Sequence, residues 1–187
     1  MFLRLRGRLV VVVGAGEVAE KKIEKLIEAG ARLRIVAPSI SHAVRALGQA
    51  SGSELLARPF EDADLSGAWL VIASTDDVET NRQVSNACEK LRLFCLAVDD
   101  LANASCFAGA EIRRDPFTVA ISTGGAAPAL ARLVREIIEL ALPEADWVAH
   151  ATALRERWKQ TATPMASRFP DLLRAFAERV GYFGNPK

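Results

Sequence analysis

Gly14-Ala-Gly16-Glu-Val-Ala19 fits the pattern G-x-G-x-x-G/A and follows directly on the run Leu9–Val13. In that setting Gly14 makes the tight turn and Gly16 lets a pyrophosphate approach the backbone. Ala19 allows the following helix to pack closely on the strand, and free N–H groups at the helix start face the phosphates. The chemistry implied is dinucleotide binding. An acidic residue about 20 positions on normally grips the adenosine ribose, but here the sequence reads Ala37-Pro38-Ser39. Ser39 can hydrogen-bond a ribose hydroxyl, and Arg32 and Arg34 leave a 2′-phosphate open, so NAD and NADP both remain at this point. Three further polar clusters stand at the ends of apolar runs: Ser74-Thr75-Asp76-Asp77 with Asn81 a turn later, Asp99-Asp100, and Ser122-Thr123-Gly124-Gly125. Each has a plain alternative, as a helix cap for Thr75 or Asp76, a turn residue for Asp100 and a tight connection for the glycine pair. A carboxylate such as Asp99 at the end of a buried strand is desolvated, which raises its pKa toward that of a general base. Ser122 and Thr123 can orient a substrate, and the Gly124–Gly125 backbone at a helix start can bind a carboxylate.

These groups need a scaffold that brings strand ends together. Leu9–Val13 reads as a strand buried on both faces, and Val18, Ile23, Leu26 and Ile27 recur at helical spacing before Gly30. Strands are expected at Leu33–Ala37, Leu55–Arg58, Trp69–Ala73 and Phe94–Val98, with helices over 40–50 and Val78–Leu91. The alternation predicts an α/β fold, a Rossmann-type parallel sheet with right-handed crossovers. The pattern then changes. "SCFAGAEI" and "PFTVAIST" are strand-like and joined by "RRDP", and helices are expected over Ala129–Leu142, Ala145–Gln160 and Pro164–Val180, with Pro143 ending the first and a loose tail "GYFGNPK". The expected division is 1–112, a dinucleotide-binding domain; 113–143, a strand-helix segment; and 144–187, a small helical domain.

Composition narrows the class. Half of the 187 residues are apolar and a quarter charged, as in ordinary globular proteins, and the net charge of +1 gives no basis for nucleic-acid binding. No apolar run reaches the roughly 18 residues of a membrane span, and the apolar stretch near the start leads into glycines rather than a cleavage site, so the expected location is the cytoplasm. Cys88, Cys95 and Cys106 have neither paired nor CxxC spacing, and only His42 and His150 are histidines. Neither a disulfide framework nor a resident metal is expected.

In order and spacing, "VVVVGAGEVAEKK", "EAGARLRIVAP", "VIASTDD" followed by Asn81, "AVDD" and "VAISTGGAAPALARLVREIIE" resemble the precorrin-2 dehydrogenases, including the dehydrogenase–ferrochelatase half of sirohaem synthases. The resemblance covers essentially the whole chain. It implies an oxidoreductase that converts precorrin-2 to sirohydrochlorin with NAD⁺ in tetrapyrrole biosynthesis, working as a homodimer whose middle segment is the dimerisation element. The family's catalytic aspartate falls on Asp99, and its hydroxyl residue before the double glycine falls on Thr123. Its NAD contacts fall on Gly16, Glu17 and Val18 in the glycine loop and on Pro38 and Ser39 after the second strand. An uncharged end to that strand is normal in the family. Insertion of Fe²⁺ to give sirohaem is a second activity in some relatives, and nothing in the sequence separates the two kinds. The sequence departs from the family at Leu96, where Asn is usual, and at Gly109, where Pro is usual. No uroporphyrinogen methyltransferase module is recognised, so precorrin-2 is expected from a separate methyltransferase. Precorrin-2 carries eight carboxylates, and arginines grip carboxylates bidentately. Arg132 is the leading candidate, with Arg135, Arg155, Arg157 and Lys159 as further ones or as solvated helix faces. Two other readings remain: a small-substrate dehydrogenase on the same fold, and a non-catalytic module that binds a tetrapyrrole or dinucleotide.

Overall fold

The run Leu9–Val13 becomes the central strand of a five-stranded parallel sheet in the computed structural model, which describes residues 3–97, 100–114, 117–142 and 146–180. The strands are β1 (Leu9–Val13), β2 (Arg32–Val36), β3 (Glu54–Leu56), β4 (Leu70–Ala73) and β5 (Phe94–Ala97), in the order β3-β2-β1-β4-β5. Every pairing is parallel; Val13 lies beside Val36 on one flank and Ala73 on the other. The crossover helices are α1 (Glu17–Glu28), α2 (His42–Ser51) and α3 (Val78–Leu91). The central position of β1 explains its unbroken apolar run. Val10 and Val12 pack with Ile23, Leu26 and Ile35 on one face, and Val11 and Val13 with Val36, Val71 and Val84 on the other. Each such fully buried side chain contributes about 1.5–3 kcal/mol.

Local signals set the helix ends. Ser41 Oγ accepts the Val44 N–H at the start of α2, and the Asp77 carboxylate accepts the N–H groups of Glu79 and Thr80 at the start of α3. Two 3₁₀ turns, Asp62–Leu65 and Leu101–Asn103, were not foreseen in the sequence. Asp100 caps the second, accepting from both the backbone N–H and the side-chain amide of Asn103. The strand expected to begin at "SCFAG" begins instead at Ala110. The reason lies in the edge of β5: the N–H groups of Ser105 and Cys106 both donate to Cys95 O, so this stretch folds back on β5 before the next strand starts.

The chain divides into two compact units, with Met1–Ala108 in the first and most of the remainder in the second. The second contains the antiparallel pair β6 (Ala110–Arg114) and β7 (Phe117–Ile121), then α4 (Pro128–Ala141), α5 (Asp146–Gln160) and α6 (Met165–Val180). Ile112 and Ala131 are buried where α4 meets β6. α5 and α6 share a small core of Leu154, Trp158, Leu172 and Ala175, closed by a 2.6 Å hydrogen bond from the Trp158 indole N–H to Asp171. Pro143 and "GYFGNPK" lie outside the described residues.

Candidate functional site

A cleft of about 440 Å³ opens at the carboxyl ends of β1, β2 and β4, where ligands of open α/β sheets bind. Its floor is the glycine loop. Gly14 has φ +112°, and a Cβ there would stand 2.1 Å from Ser74 O and 3.1 Å from Thr75 N, so only glycine fits between β1 and the end of β4. Gly16 is different: its φ is −90° and a Cβ added to it meets nothing within 4 Å. It is the N-cap of α1 and has no side-chain cap, so the first-turn N–H groups and the positive end of the helix dipole face the cleft. Glu17 and Val18, the first residues of the helix, are exposed beside it.

The end of β2 forms one wall. Ala37 is buried, whereas Pro38 and Ser39 are exposed and line the cleft. Arg34 does not face this space. Its guanidinium is spent on Glu54 (2.7 Å), Asp64 O (2.7 Å) and Ser66 O (3.3 Å). Arg32 sits at the opposite end of β2, paired in register with Leu9. None of the described residues lining the cleft is Lys or Arg. The loop below the wall is braced by Arg58, which grips Asp64 with two bonds of 2.9 and 2.6 Å. Burial pushes the Asp64 carboxyl up, but its bonds from Arg58 and the Glu61 N–H, with the charges of Arg58 and Arg34, outweigh this and hold it below the usual carboxylate value.

The end of β4 forms the other wall. Ser74, Thr75, Asp76 and Asp77 all line it. Ser74 Oγ is buried there without a hydrogen-bond partner. The cap of α3 is Asp77, and neither Thr75 nor Asp76; its carboxyl is lowered by the Thr80 hydroxyl, which donates at 2.5 Å, and by two backbone N–H groups. Thr75 is held by Asn81, a buried residue on α3 whose role the sequence did not disclose. The Thr75 N–H donates to Asn81 Oδ1 (3.2 Å), and Asn81 Nδ2 donates to Thr75 O (2.9 Å). The Thr75 hydroxyl has Asn81 Oδ1 at 2.8 Å and Asp77 O at 2.9 Å as acceptors. Asp76 is exposed.

Asp99 lies outside the described residues. Leu96 pairs in register with Ile72 and packs against the core face that carries Val10 and Val12. In the second unit, Thr123 Oγ1 accepts the N–H of Ala127, the N-cap of α4. Ser122 follows β7 directly, and the two glycines after Thr123 have φ +62° and +84°. Arg132 projects from α4, largely exposed, and pairs with Glu136 at 3.1 Å. Arg135 pairs with Glu139, Arg157 with Asp171 and Lys159 with Glu156.

Residues 1–110 match the sequence profile of the NAD(P)-binding family NAD_binding_7. The chain belongs to this family. Residues 114–140 match a second profile, that of the sirohaem biosynthesis protein central region. The family member described here is 41% identical over 182 residues to "Siroheme synthase 1" of Aeromonas salmonicida, a match covering 96% of this chain and 38% of the relative. It is 42% identical over 170 residues to "Siroheme synthase 2" of Cronobacter sakazakii, covering 90% and 37%. The chain thus spans less than two fifths of the length of these relatives. Among solved structures, "SirC, precorrin-2 dehydrogenase" superposes with a TM-score of 0.70 over 93% of this chain and 87% of that one at 20% identity, which establishes the shared fold. The cleft fits the NAD(P) of the family name: an uncapped helix start, open space before Gly16 and the unpartnered Ser74 hydroxyl all suit a phosphate-bearing ligand. Among the described residues, no helix is long and apolar enough to cross a membrane.

Proposed function

We propose that this protein oxidises precorrin-2 to sirohydrochlorin with NAD⁺ as the acceptor. The observation that carries the reading is the order of the two profiles, an NAD(P)-binding domain over 1–110 followed directly by the sirohaem biosynthesis central region over 114–140, in a chain of which 96% aligns with 38% of a siroheme synthase. Bound NAD⁺ supplies the two-electron oxidant. Gly14 and Gly16 admit its pyrophosphate to the start of α1, where the first-turn N–H groups, with Glu17 and Val18 beside them, receive it. Pro38 and Ser39 border the adenosine ribose, and Thr75 and Asp76 border the other half. Asp99 accepts the proton that the macrocycle loses. Ser122, Thr123, the Gly124–Gly125 backbone and Arg132 hold substrate carboxylates, Arg132 exchanging its Glu136 partner for one of them.

The wall of the cleft favours NAD⁺ over NADP⁺. Among the described residues lining the cleft, a 2′-phosphate would meet Ser39 and no Lys or Arg, and Arg34 is committed to Glu54 and two carbonyls. Arg32 stands five residues before Ala37, roughly 16 Å along the strand and beyond the reach of its side chain. Binding of NADH at least tenfold tighter than NADPH is expected, read by titration of nicotinamide fluorescence; equal affinity refutes this assignment.

The second unit is proposed to pair with a second copy. Leu130, Leu133, Ile137 and Leu140 recur at three- and four-residue spacing on α4, and each is more than half exposed. That spacing is the seam of a two-helix interface, which a symmetry-related copy satisfies with the same residues. Ile137→Glu should convert a dimer into a monomer in analytical ultracentrifugation; a wild-type monomer rejects the pairing. The division 1–112, 113–143 and 144–187 and a cytoplasmic location belong to the same proposal.

The test of function is an anaerobic assay. Precorrin-2 made in place from uroporphyrinogen III by a separate methyltransferase is mixed with the protein and NAD⁺, and NADH and the sirohydrochlorin spectrum are followed. Formation of both in equal amounts supports the reading, and Asp99→Ala should abolish turnover while NADH still binds. NADH binding without turnover in the wild type replaces it with a non-catalytic binding module. Fe²⁺ added after sirohydrochlorin has formed reads chelation from the sirohaem spectrum.

A further inference from the structure

Asn81 is an expensive choice at its position. Asn is a poor helix former, and Asn81 is 6% exposed in the first turn of α3, where an unsatisfied buried amide is costly. Its three hydrogen bonds to Thr75 offset that cost and account for the residue type. One planar group must both accept from the Thr75 N–H and donate to the Thr75 carbonyl, as a neighbouring strand would. A carboxylate offers no donor, and an aliphatic side chain offers neither.

The opposite side of the same peptide is equally constrained. The Ser74–Thr75 link lies so close to Gly14 that no Cβ fits between them. It is therefore held between the Asn81 amide and the bare Cα of the glycine loop, although Asn81 itself does not line the cleft. Strand order fixes which part of the ligand this affects. The ends of β2 and β4 lie on opposite sides of β1, and the ribose-gripping position follows β2, so the adenosine half lies over β2 and the nicotinamide half over β4.

We infer that Asn81 is a positioning residue for the nicotinamide half of the cofactor: it fixes the Thr75–Asp76 edge of the cleft through the Thr75 backbone and touches no ligand. The inference rests on the cofactor reading proposed above.

The test compares ligands that share one half. NADH spans both walls, whereas ADP carries only the adenosine and the diphosphate. In Asn81→Ala, and in Asn81→Leu, which keeps the branched shape of the side chain and suits a helix, NADH affinity should fall about tenfold while ADP affinity stays within twofold, by fluorescence titration and calorimetry. Equal loss for the two ligands overturns the inference, because Asn81 would then hold the cleft as a whole. Unchanged NADH affinity overturns it as well. Amide hydrogen exchange in the wild type gives a measurement independent of how the variants fold: the Thr75 N–H should be protected, and exchange at the rate of an open chain removes the clamp. A wild-type protein that binds ADP but not NADH, or neither, refutes the cofactor reading itself and the inference with it.

Discussion

The two glycines of the nucleotide loop do different work, and replacing each by alanine should separate folding from binding. At Gly14 the backbone φ of +112° lies where side chains are strained, by about 1–3 kcal/mol. The new Cβ would also stand 2.1 Å from Ser74 O and 2.6 Å from Ser74 C, both backbone atoms of the adjoining strand end. Relief requires β1 and β4 to part by more than an ångström in a sheet whose neighbouring side chains are fully buried. Overpacking of this kind costs about 1–3 kcal/mol more. The sum, roughly 2–6 kcal/mol, is a large share of the 5–15 kcal/mol typical of a folded domain. At Gly16 the φ of −90° suits any residue and a Cβ meets nothing, so the loss is confined to the weaker N-cap preference of alanine, about 1 kcal/mol or less. The added methyl stands instead in the space through which a pyrophosphate approaches. Gly14→Ala should therefore lower the urea midpoint sharply, and Gly16→Ala should leave it nearly in place while weakening NADH binding at least tenfold in a fluorescence titration. A Gly16→Ala protein that binds NADH normally would refute the placement of the phosphates. A Gly14→Ala protein as stable as the wild type would refute the close approach of β1 and β4.

Four further outcomes are expected. Asp64 is 4% exposed and accepts from Arg58 twice and from the Glu61 N–H; Asp64→Ala should cost about 2–3 kcal/mol in urea unfolding, after allowance for the partial exposure of Arg58. Because its folded carboxyl lies below the ordinary 3.8, its stabilisation is complete above that value and is lost as the pH falls through the depressed one; Asp64→Asn should flatten the acid side of the stability profile measured between pH 5 and 2. Trp158→Phe keeps most of the packing but removes the indole donor to Asp171, and should loosen the α5–α6 pair by about 1–3 kcal/mol, seen as faster proteolysis of the C-terminal helices than of the sheet. Gly109→Ala places a Cβ 2.5 Å from Ile121 O and should cost about 1–3 kcal/mol by denaturant titration.

What could be read from the sequence followed periodicity. The unbroken run at Leu9–Val13, the helical spacing in α1 and the 14-residue helix Val78–Leu91 each state their environment in the identity of their own residues. The parallel sheet followed from their alternation, and Gly14 and Gly16 announced the cleft. Contacts between distant residues were less legible. Arg34 stands near the place where a cation would meet a 2′-phosphate, yet its partners Glu54, Asp64 and Ser66 come from 20 to 32 positions away and remove it from the cleft. Cys88 and Cys95 have no disulfide-like spacing, but the left-handed turn at Arg92 leads from α3 into β5 and both are free, buried members of one core cluster.

Thr75 shows why a strand-end hydroxyl is an ambiguous signal. In sequence it resembles Ser39, a small polar residue just beyond a buried strand, and position alone would give both the same part in holding a cofactor. The structure separates them by their partners. Ser39 is exposed on the wall of the cleft, whereas the hydroxyl and amide of Thr75 are turned toward Asn81 and Asp77. The polar residue that gives the β4 wall its shape is therefore six residues downstream, in the first turn of α3, and does not line the space it shapes. Position along a strand marks where a ligand can lie. The number of hydrogen bonds a side chain already makes decides whether it meets the ligand or holds the residue that does.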